Sequence, residues 1–473
     1  MPDDDLHHLT AQEQWTLLQR REISPTELAE HYLARIDRLD GDLGAFITVT
    51  PEQAIDRARE VEASVARSAP LWGLPFADKD LTARAGVRTT YGSRLFAEYV
   101  PEVSEPIALA LDAAGAVSLG KTNTPEFGLT GYTESLAAPP ARNPYDLSRG
   151  AGGSSGGAAT AVAAGLLPFA PASDGGGSIR IPAASTGLVG IKPSRGLIPA
   201  ASGVDKVAGL AVGGPIARTV TDAAMLLDAM VAAGPYPFAL RAPAPDAPLL
   251  GAAVRGEGRF QLGVMTGSPW DDALDIHLDP AVVDALELAA HELDALGHGL
   301  ENVTLEPVDY AGFFTTLWQA SAANIPADGA DLDLLEPLSR WLVERGRALP
   351  ARQLLDALGA ASAFERSLIR QFAPFDAVLT PTLALLPRPL GWFDQADAER
   401  NFVQQCEAAP FTSFVNVSGL PAITLPVHQT EAGMPVGVQL IGRPGGEATL
   451  LAIGAQLERR IRWQHRHPPA WDQ

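Results

Sequence analysis

The sequence predicts an α/β fold: one large α/β/α sandwich with a central, mixed, twisted sheet covered by helices. Two observations predict it. Short apolar runs bounded by glycine alternate along the chain with longer stretches of helical period. Hydrophobic residues make up 46% of the 473 positions, charged residues 19% and aromatics 7%, which is the composition of a soluble globular enzyme with a large core. Length alone suggests about three domains, yet a single large α/β fold can use this much chain.

In order along the chain, residues 13–39 carry a helical pattern, with Ser24-Pro25-Thr26-Glu27 offering a helix start, and a second helix covers 51–66. Strands are expected at 74–76, 116–119, 188–191, 261–264, 377–379 and 422–427. Helices fall at 106–114, 220–233, 280–296, 354–372 and 447–460. The chain therefore reads as one domain. It has a helical N-terminal part (1–70), a catalytic core (71–233), a Pro/Ala-rich surface connector (234–258) and the remaining sheet and helices (259–473). A substrate-side insertion lies at about 307–350.

Lys plus Arg at 35 against Asp plus Glu at 56 gives a net charge of −21, which repels phosphate backbones and anionic lipid surfaces. No basic run offsets it, so neither a nucleic acid nor a membrane partner is expected. The opening MPDDDLHHLT lacks the basic and apolar regions of a signal peptide. The single Cys406 allows no internal disulfide, and a cytoplasmic location is expected.

Three short patterns need weighing. Gly115 to Thr122 fits the phosphate-binding G-x-x-x-x-G-K-[ST] expression, but a helix precedes it and Asn123-Thr124-Pro125-Glu126 resists helix continuation. Ser118-x-x-Lys121 matches the spacing of penicillin-recognising enzymes without their K-T-G element, and Ser118 falls in a strand. Gly152-Gly153-Ser154-Ser155-Gly156 satisfies the G-x-S-x-G elbow of α/β-hydrolases. That elbow needs a histidine base, and none lies between His31 and His277; His428 or His465 would have to serve.

The most informative segment runs from Gly152 to Lys192. Two serine-bearing glycine clusters flank an Ala-rich stretch that reads as a buried helix, too short to span a bilayer. Clustered glycines free backbone N–H groups to face a developing negative charge. In place of histidine the chain offers Lys79, which ends the apolar run Gly73-Leu74-Pro75-Phe76-Ala77-Asp78-Lys79-Asp80. Ser–Lys pairs are chemically sound nucleophile–base arrangements. The plainer reading makes Lys79 a surface ion pair with Asp78 or Asp80, and Ser154 or Ser155 a helix cap. Cys406 reads as a small hydrophobe in a helix.

With these residues in view the chain resembles the amidase signature family. The resemblance rests on the Lys79 setting, on Lys121-Thr122-Asn123 with Glu126-Phe127, and on Asn143-Pro144 leading through Arg149 into the first glycine cluster. It continues through Asp174-Gly175-Gly176-Gly177-Ser178-Ile179-Arg180-Ile181-Pro182 to Gly187 through Pro193. Phe414-Val415-Asn416, Gly419-Leu420-Pro421-Ala422 and Pro435-Val436-Gly437-Val438-Gln439 complete it.

The resemblance implies an amidohydrolase that cleaves carboxylic amide C–N bonds, of the linear-amide type, and leaves esters, anilides and carbamates open as further substrates. Ser178 is the nucleophile, Ser154 the bridging serine of the family's cis peptide and Lys79 the base. The N–H groups of Gly175, Gly176, Gly177 and Ser178 form the oxyanion hole, with Ser155, Asp174 and Arg180 in support. It implies no metal and no cofactor. Lys79 must be uncharged to accept a proton, so burial has to lower its pKa.

Two departures stand out. Asp78 occupies a place that is normally apolar, where it would hold Lys79 charged unless strand alternation turns it away. Ala172-Ser173 replaces the family's Gly-Thr, and Gly175 adds a third glycine. Tyr132, Phe313, Phe314, Trp318 and Phe411 are pocket candidates, favouring a small-molecule amide that is uncharged and partly apolar. The family also contains the amidase subunit of a tRNA-dependent transamidation complex. Homodimers occur among its members.

Overall fold

In a computed structural model of the chain, which describes residues 3–198, 207–231 and 245–473, the predicted alternation resolves into three sheets. The smallest elements come first. Strands β1 (Phe46–Val49), β2 (Pro75–Lys79) and β3 (Val117–Thr122) form one sheet in the order β1-β3-β2, with β2 parallel and β1 antiparallel to β3. Strands β4 (Arg142–Asn143) and β5 (Asp146–Gly150) form a two-stranded ribbon.

The large sheet contains β6 (Phe169–Asp174), β7 (Val189–Lys192), β8 (Val212–Ala217), β9 (Gln261–Val264), β10 (Gly299–Asn302), β11 (Ala377–Pro381), β12 (Ala422–Gln429) and β13 (Pro435–Gly442). Its order is β10-β9-β11-β13-β12-β7-β8-β6, parallel across β10, β9 and β11 and antiparallel elsewhere. The expected mixed sheet with helical cover is thus present. The runs expected at 74–76 and 116–119, however, belong to the separate small sheet. At the centre, Ile423, Leu425, Val438 and Leu440 are fully buried, and so are the intervening Thr424 and Gln439, so both faces of the sheet are covered.

The helical pattern expected over 13–39 divides into Ala11–Arg20 and Pro25–Leu43. Arg21 turns the chain left-handed at φ 61°. Ser24 then accepts the Glu27 N–H while Glu27 caps Ser24 in return, so the anticipated start signal acts as a capping box. Of the expected connector, residues 234–244 lie outside the described residues. Its remainder is not a bare surface link: helix Leu249–Arg255 buries Leu249 and Ala253, and Asp228 accepts the Leu249 and Leu250 N–H groups at 2.8 Å each. The 307–350 segment supplies helices Tyr310–Ala322 and Pro337–Arg347, which pack with Ala351–Phe372 around Phe313, Leu317, Leu342 and Leu368.

Two features place the site. The Ala-rich stretch becomes helix Gly156–Ala163, buried along its whole length, with Gly157 pressed against the backbone of Ala45 and Asn123. Strand β2 packs beside β6, so the ends of both strands and the turn before the buried helix converge.

Candidate active site

Lys79, the last residue of β2, projects into this convergence. It is 2% exposed, and its Nζ donates to Ser154 Oγ at 2.7 Å and to Ser173 Oγ at 3.1 Å. Among the described residues, no carboxylate lies within ion-pair distance of it. Asp78 points to the other face of β2, where its Oδ2 meets Arg84 Nε at 2.6 Å. Asp80 is committed to Thr90 and to Lys121, whose Nζ stands 3.3 Å from Asp80 Oδ1. Each neighbouring acid therefore has a cation of its own. Burial pulls the Lys79 pKa from an ordinary 10.5 down to about 7, with the more distant Asp174 charge opposing the shift.

These contacts dispose of the surface ion-pair reading of Lys79. They also remove the phosphate-loop reading, because Lys121 is fully buried on Asp80, Thr82 and Thr89. Ser118 donates to Asp78 at 3.3 Å from within β3, as a core strand residue. The histidine-base alternative finds no support either: the Ser154 hydroxyl is held by Lys79, His428 lies in β12 opposite Val436 of β13, and His465 is exposed.

Ser154 follows a cis Gly153–Ser154 peptide. Its turn is tightly enclosed. A Cβ on Gly153 would stand 2.7 Å from the Tyr132 backbone, and one on Gly128 would stand 3.2 Å from Ser154 Oγ. Ser155 occupies the N-cap of the buried helix, but its hydroxyl donates to Ser173 O at 3.3 Å rather than capping it. Ser155 N–H donates to Ser178 O at 3.2 Å, which ties the two serine clusters together.

The Gly175–Ser178 loop hangs on one carboxylate. Asp174, at the end of β6, accepts the Gly177 N–H on Oδ1 at 2.7 Å and the Ile179 N–H on Oδ2 at 3.2 Å. Both oxygens also meet Arg180 at 2.9 Å. Burial alone would push the Asp174 carboxyl up; Arg180, Lys192 and the Asn416 amide overcome it and hold the pKa at about 2. Arg180 is itself fully buried and donates further to Gln439, Asn416 and the Thr412 carbonyl.

One expectation changes here: the Gly177 N–H is spent on Asp174 and does not face the cleft. Among the described residues, the N–H groups of Gly175, Gly176 and Ser178 carry no protein hydrogen bond.

Ser178, 7% exposed, opens into a cleft lined by Leu129, Gly176, Trp270, Phe314, Trp318, Phe402 and Cys406, with about 490 Å³ of empty space. Of the five pocket candidates named from sequence, Phe314 and Trp318 line this cleft. Tyr132 instead walls an adjoining cavity, its hydroxyl fixed by Asn401 and Gln395. Phe313 packs on Phe364 and lines a separate surface groove. Phe411 is fully buried, and its carbonyl accepts from Gln439.

Trp270, Phe402 and the bracing trio Thr412, Asn416 and Gln439 were not singled out from sequence. Asn416 and Gln439 do fall in the late blocks that carry the resemblance. Among the described residues, no three His, Cys, Asp or Glu side chains gather to hold a metal ion, and no helix is long and apolar enough to cross a membrane.

A family model described as Amidase matches residues 27–451. AmiB2 of Mycobacterium tuberculosis, a provisionally named amidase, is 38% identical over 479 residues, covering 99% of both chains. A glutamyl-tRNA(Gln) amidotransferase subunit of Moorella thermoacetica is 35% identical over 500 residues, covering 98% of this chain and 99% of its own. The solved structure of 6-aminohexanoate cyclic dimer hydrolase matches with a TM-score of 0.90 at 32% identity, over 98% and 99% of the two chains.

Proposed function

For a chain that belongs to the amidase signature family of hydrolases acting on amides, we propose that catalysis runs through an acyl-enzyme on Ser178, with Ser154 and a neutral Lys79 relaying the proton. The observation that carries this reading is the 2.7 Å contact between Ser154 Oγ and a buried lysine that, among the described residues, has no carboxylate partner. Neutral Lys79 accepts the Ser154 proton as Ser154 takes one from Ser178, and Ser178 Oγ bonds to the amide carbon. The oxyanion rests on the uncommitted N–H groups of Gly175, Gly176 and Ser178. The relayed proton passes to the nitrogen, the C–N bond breaks, and water then releases the acid.

Mass detection of an acyl adduct on Ser178 during turnover, lost in Ser178→Ala, tests the nucleophile. Lys79→Ala should abolish amide turnover in a folded protein, and an unchanged rate ends the proposal. Linear amides are the expected substrates, with esters retaining more activity in the lysine variant because their leaving groups need less proton assistance.

The likeness to the Moorella protein over nearly its whole length favours a second reading, a glutamine-fed component of a transamidation complex. Hydrolysis of simple amides by the purified chain alone separates the two. A cytoplasmic monomer or homodimer acting on small molecules fits the first reading, and gel filtration tests that assembly.

A further inference from the structure

Sharing no residue with the nucleophile's cleft, a narrow cavity of about 240 Å³ of empty space is lined by Ala163, Gly187 and the turn from Trp463 to His467. Three of its lining residues are bases, Arg218, Arg466 and His467, and among the described residues none is acidic. We propose that this cavity binds one small inorganic anion, of chloride or bromide size, held chiefly by the Arg218 guanidinium.

Arg218 carries the argument. It lies just before helix Val220–Val231 and is 6% exposed. Its Nη2 donates to the Leu9 carbonyl and its guanidinium lies 4.8 Å over the Trp471 ring, but its Nη1 is buried without a partner. A charged donor withdrawn from water calls for an acceptor. Among the described residues no carboxylate stands within ion-pair distance of Arg218, and Asp222, which feels its charge, does not line the cavity.

The surroundings suit a negative charge. Arg466 donates through Nη1 to the Pro426 and Val427 carbonyls at 3.2 and 3.4 Å, and its Nε and Nη2 donate to no described protein group. The Gln464 amide has a buried, unpartnered Oε1, and rotation brings its NH2 to the same place. His467 reports the positive field: burial first, and then the Arg218 charge, lowers its pKa from 6.5 to about 4. The carbonyls of Ala164 and Gly165, past the end of the buried helix, are spent on Arg35 at 3.2 and 3.0 Å.

Size decides which anion. The cavity seats about one sphere the size of a water molecule, which suits a halide and excludes sulfate and phosphate. Such an ion would tie Arg218 to the turn after helix Glu447–Ile461. The cavity also borders Ala163, where the helix that follows Ser154 ends, and Gly187, just beyond helix Arg180–Ser185. Its role is therefore to hold the fold together rather than to touch substrate.

The test has a crystallographic and a solution arm. Crystals grown without halide and soaked in sodium bromide should show an anomalous peak within about 3.5 Å of Arg218 Nη1. In solution, chloride replaces gluconate, an anion too bulky for the cavity, at constant ionic strength. The melting temperature should rise saturably by at least about 2 °C, and sulfate should not reproduce the rise.

Arg218→Met should lose both the peak and the rise. Because that variant also gives up the Leu9 and Trp471 contacts, Arg466→Gln is the second: it keeps Arg218 and should weaken halide affinity at least about ten-fold. A water with no anomalous signal in the cavity would overturn the proposal. So would a bromide peak with no saturable effect in solution, a rise that sulfate matches, or wild-type halide affinity in Arg466→Gln.

Discussion

Replacing Lys79 with Met should abolish activity and at the same time make the protein more stable, by an amount that depends on pH. Lys79 titrates near 10.5 in an unfolded chain and near 7 in the fold, because burial disfavours its charge. At about 1.36 kcal/mol for each tenfold change in proton affinity, that difference amounts to about 5 kcal/mol. Below pH 7 both states hold the proton, so the folded state bears the whole cost of a buried ammonium. Between pH 7 and 10.5 the unfolded state binds a proton that the folded state has lost, so stability rises with pH. Above 10.5 the cost is gone.

Methionine removes this penalty but forfeits the contacts to Ser154 and Ser173, together worth about 1 to 3 kcal/mol. A net gain of about 2 to 4 kcal/mol at pH 6 is therefore expected, falling by about 3 kcal/mol between pH 7 and pH 9. Urea unfolding of both proteins at pH 6, 7.5 and 9, followed by tryptophan fluorescence, measures it. A difference that is independent of pH, or a variant less stable at pH 6 than at pH 9 relative to wild type, refutes the argument that Lys79 is held uncharged by burial.

Other outcomes follow from the same site. In the wild type, kcat/KM for a neutral amide should rise with pH and reach half its plateau near pH 7 as Lys79 loses its proton; a midpoint near 10 would contradict a depressed lysine. Arg180→Ala should destabilise the fold by about 3 to 5 kcal/mol, since it strands Asp174 as an unpaired buried charge, and a melting temperature close to wild type would count against that. Gly177→Ala should lower kcat and stability together. At φ +133° its new methyl would stand 2.8 Å from Ile181 Cδ1 and press on Thr412, and full activity in the variant would show the loop to be pliable.

The sequence made strongly periodic elements legible. The strand expected at 261–264 matches β9, and the helices expected at 280–296 and 447–460 end within a residue of Pro280–Ala295 and Glu447–Ile461. It concealed β6 and β8, because Pro171 and Gly213-Gly214-Pro215 read locally as breakers. In the sheet Pro171 faces Pro215 across the pair, and tertiary packing overrides the local preference.

Of the site, Lys79, Ser154 and Ser178 stood out through glycine context and resemblance. The bracing of Arg180 by Thr412, Asn416 and Gln439 spans more than 230 residues of chain, a distance that no local pattern encodes. Phe411 and Phe313 were named for aromaticity alone, a property shared by core and pocket walls. Asp78 seemed a threat to a neutral Lys79 because sequence adjacency suggests proximity, whereas a strand sends neighbours to opposite faces.

The way Asp174 engages its loop bears on inhibitor design. Asp174 accepts the Gly177 and Ile179 N–H groups, so on the proposed mechanism those of Gly175, Gly176 and Ser178 stay available before any ligand arrives. A boronic acid or trifluoromethyl ketone, adding to Ser178 as a tetrahedral mimic, would meet a receptor cast in its bound shape. Such compounds should associate in a single fast phase, without the slow tightening typical of enzymes that must first rebuild this cradle.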